Sequence, residues 1–139
     1  MHRDQHDDSR SAGNEAPYER LDVYQKAYQV ALQIHRETLK FPKIEQFELA
    51  SQLRRSSKSI VVNIVEGMGR QSTPREVERY IRVAMGSCDE SRIWLKFAKD
   101  LEYLSGERQE RFNEQLVEIG RMLRGIINRY REKPGGGKG

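Results

Sequence analysis

Glu66 and Glu90 are the carboxylates of this 139-residue chain with the best claim to act as a pair. Two facing carboxylates can exchange protons with a substrate or share a metal ion. A di-iron helical site asks for more: several inward carboxylates and a Glu-x-x-His step on each of two helices. The histidines are His2, His6 and His35, and none follows a glutamate by three residues. His35 falls at the edge of an apolar helical face, where packing is its expected role. Cys88, the one cysteine, has no histidine or second cysteine placed to activate it, and it excludes an internal disulfide. Gly67-x-Gly69 lacks the strand, the further glycines and the lysine of a phosphate loop. No catalytic, cofactor or metal residue is therefore assigned, and the chain is not expected to be an enzyme.

Arginine is the residue type that remains. It outnumbers lysine, and its planar fork suits phosphate better than the point charge of an ammonium. Three groups stand out: Arg54, Arg55 and Lys58; Arg70, Arg75, Arg79 and Arg82; and Arg121 and Arg124, with Arg129, Arg131 and Lys133 beyond them. The formal charge is +4, and the opening residues are net acidic, so the rest of the chain is more basic than that figure. Repeated around an oligomer, such patches would build a field that attracts phosphate. Gln52, Ser56, Ser59, Asn63 and Glu66 form a different stripe, with almost no charge. Its expected role is a structural polar network of Ser59, Asn63 and Glu66 with Ser87 and Glu90, since enclosed polar groups must find partners.

The elements that position these residues read as helices. Residues 1–17 are polar and are expected to be a disordered leader, and 134–139 a flexible glycine-rich tail. Between them, 18–133 carries four amphipathic segments without strand alternation. The first runs from about Leu21 to Leu39 and is broken at Phe41-Pro42. The second runs from about Lys43 to Met68, on a stripe of Ala50, Leu53, Ser57, Ile60 and Ile64. Thr73-Pro74-Arg75-Glu76 marks the start of the third, which can continue to Leu104. Its heptads Val77, Ala84, Ser91, Ala98 and Tyr80, Ser87, Trp94, Leu101 make a seam with small residues at its middle. The fourth spans about Glu107 to Arg131. The expected fold is all-α, an antiparallel up-down-up-down four-helix bundle. Ile93 and Phe97 point away from the core seam, so they are expected to be an oligomer contact.

The stretch from Phe41 to Arg70, FPKIEQFELASQLRRSSKSIVVNIVEGMGR, followed by Ala84 to Glu90, AMGSCDE, resembles a known bacterial family. This is the four helix bundle protein family that includes proteins encoded in intervening sequences of 23S rRNA genes. Phe41-Pro42 with Glu45, Ser59-Ile60, Asn63-Ile64, Glu66-Gly67, Gly69-Arg70, and Gly86-Ser87 with Glu90 carry the likeness, which covers Tyr18 to Lys133. Val65 departs from it, standing where alanine is expected, and so does the long acidic leader. The resemblance implies a homopentameric ring, suspected nucleic-acid binding, and distant kinship with the accessory variability determinant proteins of diversity-generating retroelements.

The expected function is that of a non-enzymatic, homo-oligomeric basic bundle in the cytoplasm, gripping RNA or DNA chiefly through phosphates. No recognition helix, zinc finger or ribonucleoprotein signature is present to read bases. The alternative is a protein-interaction scaffold, for example one recruiting a reverse transcriptase. No membrane partner is expected, because no apolar run approaches the length of a span and no segment resembles a secretory signal.

Overall fold

A computed structural model describes residues 17–69 and 72–132, and among these it contains four α-helices and no strand. The leader and tail expectations, together with Arg70 and Lys133, lie outside the described residues. A 3-10 turn, Pro17–Arg20, precedes α1, Asp22–Thr38. Val23, Ala27, Val30, Ala31 and Ile34 recur at helical spacing and turn one face of α1 into the core.

Phe41-Pro42 ends α1 as expected, but α2, Leu49–Gly67, begins six residues later than the sequence predicts. Side chains of the intervening segment explain the delay. Gln46 Nε2 donates to the carbonyls of Thr38 (2.9 Å) and Phe41 (3.0 Å) at the end of α1, the first of which also accepts from the Phe41 amide at 3.1 Å. Glu45 accepts from the Leu49 amide at 3.3 Å through one oxygen and from the Tyr103 hydroxyl at 2.9 Å through the other. Lys43–Glu45 is held as a 3-10 turn by these bonds. Phe41 is buried beside Tyr103, with ring centroids 5.6 Å apart.

At its other end α2 stops at Gly67, where a Cβ would lie 3.1 Å from the Tyr80 Cβ. A side chain there would be in tighter contact than Cβ atoms ordinarily make and would push the two helices slightly apart. The next helix, α3, spans Pro74–Asp100 and opens on the expected capping box: the Thr73 hydroxyl accepts from the Glu76 amide, and the Glu76 carboxylate from the Thr73 amide.

The C-terminus of α3 comes at Asp100, not Leu104, because the chain turns at Glu102 with φ 69°. The Tyr103 amide then bonds the Ala98 carbonyl at 2.8 Å and the Glu102 amide the Lys99 carbonyl at 2.9 Å, a Schellman cap. Glycine normally fills this left-handed position. Glu102→Gly is therefore expected to stabilise the protein by about 0.5–1 kcal/mol, the relief of left-handed strain less the entropy cost of glycine. A urea midpoint that moves down would contradict the cap.

The last helix, α4, covers Gly106–Glu132, and the Ser105 hydroxyl accepts from the Arg108 amide at 3.1 Å near its start. Consecutive helices pack on one another, and α4 returns to pack on α1. Ile34, Leu53, Ile60, Ile64, Ile81, Leu95, Leu116 and Leu123 fill the common core. The first heptad row of α3, Val77, Ala84, Ser91 and Ala98, is buried throughout. The second is uneven: Ser87 is buried, Tyr80 and Trp94 are half-buried on either side of it, and Leu101 is exposed.

Candidate nucleic-acid interface

The polar stripe of α2 meets α3 through hydroxyls. Ser59 and Ser87 are joined at 2.9 Å, and the buried pair Ser56 and Ser91 at 2.7 Å. Asn63 does not cross between helices: its Nδ2 donates back to the carbonyl (2.8 Å) and hydroxyl (3.1 Å) of Ser59 on its own helix. Glu66 and Glu90, expected inside this network, are exposed, and Glu90 accepts from the Trp94 indole at 3.1 Å. Glu66 lies on the final turn of α2, where the seam opens to solvent. Ser91, which the sequence marks only as a small residue of the α3 seam, belongs to the network as well.

The first basic cluster separates into three different environments. Arg54 belongs to the scaffold: its Nη1 donates to the Thr38 hydroxyl (2.8 Å) and Gln46 Oε1 (3.3 Å), and its Nη2 to the Gln46 carbonyl (3.0 Å). A guanidinium spent on the α1–α2 connection is not available to phosphate. Lys58 Nζ donates to His35 Nδ1 at 2.9 Å. Burial and then the charges of Lys58, Arg54 and Arg36 lower the pKa of His35, which keeps the ring neutral as an acceptor. Arg55 is exposed.

The other arginines gather along α3 and α4. Arg75 is exposed, while Arg79 lies over the Tyr80 ring, 4.9 Å from its centroid. Arg82 Nε donates to Glu78 Oε2 at 2.9 Å, and Arg131 grips the same carboxylate at 2.7 and 3.1 Å. Those bonds, Arg131 first and Arg82 second, hold the Glu78 carboxyl down at about 2. Farther along the α3–α4 groove, Arg92 Nε donates to Asn113 at 2.8 Å, and an Asp89 oxygen lies 3.6 Å from its Nη1.

Facing Arg92 across the groove stand Arg121 and Arg124, both exposed and neither with a partner among the described residues. Met85, Cys88, Leu116, Val117 and Gly120 form the floor of this groove, about 330 Å³ in volume. Gly120 adds no side chain to block it, and a Cβ there would meet nothing within 4 Å. The Cys88 thiol is pushed up to about 12, chiefly by burial with a smaller contribution from Asp89, so it is not a nucleophile at neutral pH.

The groove thus holds Arg121 and Arg124 of the expected set together with Arg92 and one carboxylate, Asp89, while Arg82 and Arg131, also in the expected basic groups, meet on Glu78 elsewhere between α3 and α4. Such a groove can hold anionic oxygens through charge-assisted hydrogen bonds. Arg92 went unassigned in the sequence, although it follows Met85 by seven residues and so shares the α3 flank that faces Leu116 and Gly120.

Ile93 and Phe97 are 55% and 51% exposed on the outside of α3. Among the described residues no three His, Cys, Asp or Glu side chains converge as a metal site, and no helix is long and apolar enough to cross a membrane.

Comparison with known proteins agrees with the helical architecture. The sequence model of the family described as 23S rRNA-intervening sequence protein matches residues 19–125. A solved structure similar to this chain is that of a protein of unknown function from the S23 ribosomal protein family of Bacteroides thetaiotaomicron VPI-5482. Its TM-score is 0.70 at 27% sequence identity, covering 76% of this chain and 95% of that one. No curated protein matches the sequence.

Proposed function

Starting from a chain that belongs to the 23S rRNA-intervening sequence protein family, we propose a non-enzymatic, homo-oligomeric cytoplasmic protein that holds RNA or DNA by its phosphates in the α3–α4 groove. The observation that carries this reading is the pair Arg121 and Arg124. Both are exposed, both lack an acidic partner among the described residues, and both face Arg92 across an apolar floor. Contacts at the two ends of the molecule support an up-down-up-down course: Glu45 with Tyr103 and Glu37 with Arg108 at one end, Glu78 with Arg131 at the other. In that arrangement the groove runs along two adjacent antiparallel helices. Five is the number of subunits that the family resemblance implies, and a ring of that kind would repeat the groove around one axis.

Phosphate contacts position a protein without reading bases, so affinity should vary little with sequence. Binding to a labelled duplex or single strand should weaken linearly on a log–log plot against salt. Glu78→Gln supplies a gain-of-function arm: it releases Arg82 and Arg131 from their carboxylate, and affinity at 0.1 M salt should rise several-fold. No binding by the wild type at low salt would overturn the proposal and favour a scaffold that recruits a protein partner, to which the exposed apolar face of α3 is suited.

A further inference from the structure

Among the apolar surfaces that the described residues leave uncovered, two are a ridge and a groove of helical dimensions. The first is a ridge on the outside of α3. Val83, Gly86, Glu90, Ile93, Phe97 and Leu101 follow one another at steps of three and four residues, the spacing of a helix–helix seam. Val83, Ile93, Phe97 and Leu101 are each about half exposed, between 48% and 55%. The opposite face of the same helix already packs into the core through Ala84, Ser91, Leu95 and Ala98. A helix carrying a second seam has a second helix-sized surface to cover.

The second surface is a groove of about 420 Å³ between α1 and α2. Tyr28, Leu32, Val61 and Val62 line it, and His35 and Lys58 stand at its rim. Tyr28 and Val62 are 48% and 56% exposed. We infer that the α1–α2 groove of one copy receives the outer ridge of α3 from a second copy, in a head-to-tail contact. The inference rests on the oligomeric part of the proposed function and specifies the surfaces that build it.

Two observations select this occupant. A two-fold contact between like surfaces, ridge on ridge or groove on groove, would cover one surface and leave the other in water. Ridge into groove covers both with one contact, which each copy makes twice, and such contacts propagate into a closed ring or a chain. Charge points the same way. Glu90 is the one charged residue in the ridge, and its bond is to the neutral Trp94 indole. Lys58 at the groove rim is bonded to neutral His35, with exposed Arg55 one turn before it. Among the described residues, each chain therefore presents a carboxylate without a cation on its ridge and an ammonium without a carboxylate beside its groove.

Light scattering on mixed variants tests this pairing. Ile93→Glu with Phe97→Glu blocks the ridge, and Val62→Glu blocks the groove; all three positions are exposed, so helix content by circular dichroism should be retained. The wild type is expected above the 16.3 kDa of one chain, and each blocked protein at 16.3 kDa. An equimolar mixture of the two should form dimers and stop there, because only one intact ridge and one intact groove remain per pair. A milder pair guards against misfolding: Glu90→Lys and Lys58→Glu should each weaken assembly at least tenfold, and the double variant should recover it.

A groove-blocked protein that assembles like the wild type would overturn the inference while leaving an oligomer in place. So would a mixture that stays monomeric. A monomeric wild type would overturn it together with the oligomeric part of the proposed function, whose nucleic-acid part is judged separately by the salt titration.

Discussion

Ser91→Leu is expected to lower the unfolding free energy by about 2–4 kcal/mol, a large share of the stability of an ordinary domain. Ser91 is 0% exposed, and its hydroxyl lies 2.7 Å from that of Ser56 on the facing helix. Leucine would force the α2–α3 seam apart, at about 1–3 kcal/mol for overpacking. It would also remove the cross-helix partner of Ser56, which keeps its bond to the Leu53 carbonyl, and that loss adds about 1 kcal/mol. Ser91→Ala separates the two effects. It keeps the close approach, and Ser56 retains its 3.3 Å bond to the Leu53 carbonyl, so the cost should be about 1 kcal/mol. Urea denaturation of both variants measures the difference. Equal midpoints would mean that the seam has room for a large side chain and that hydroxyl pairing is the whole of its contribution.

The seam was legible because helical period and residue size both register in one dimension. Val77, Ala84, Ser91 and Ala98 repeat every seven residues and are buried. The start of α2 was not legible, because Lys43 to Glu48 contains nothing that forbids a helix. What prevents one is the set of bonds from Gln46 to Thr38 and Phe41 and from Glu45 to Leu49 and Tyr103. Tyr103 is distant in sequence, so no local pattern announces the contact. The same cause misplaced Arg54. On a helical wheel it resembles Arg121, but the turn that Gln46 makes delivers Thr38 and Gln46 to its guanidinium.

Glu66 and Glu90 were drawn into the polar network by spacing alone. Period places a residue on a face but does not fix the edges of a seam: Glu66 lies on the last turn of α2, and Glu90 on the outer side of α3. Ile93 and Phe97 were legible for the opposite reason: apolar residues facing away from a heptad seam stand out in any register.

Replacement of Arg121 and Arg124 by glutamine tests the account most directly. Neither side chain supports the fold, since both are exposed and unpaired among the described residues, so melting behaviour and assembly should stay unchanged. The measurement is duplex affinity as a function of salt, wild type against the double variant. Each duplex phosphate neutralised contributes about −0.9 to the slope of log affinity against log salt, so the slope should become shallower by about 1.8 per chain engaged. Affinity at 0.1 M salt should fall on the order of tenfold to a hundredfold. A slope and an affinity equal to those of the wild type would contradict the account, because the α3–α4 groove would then not be where phosphate is held.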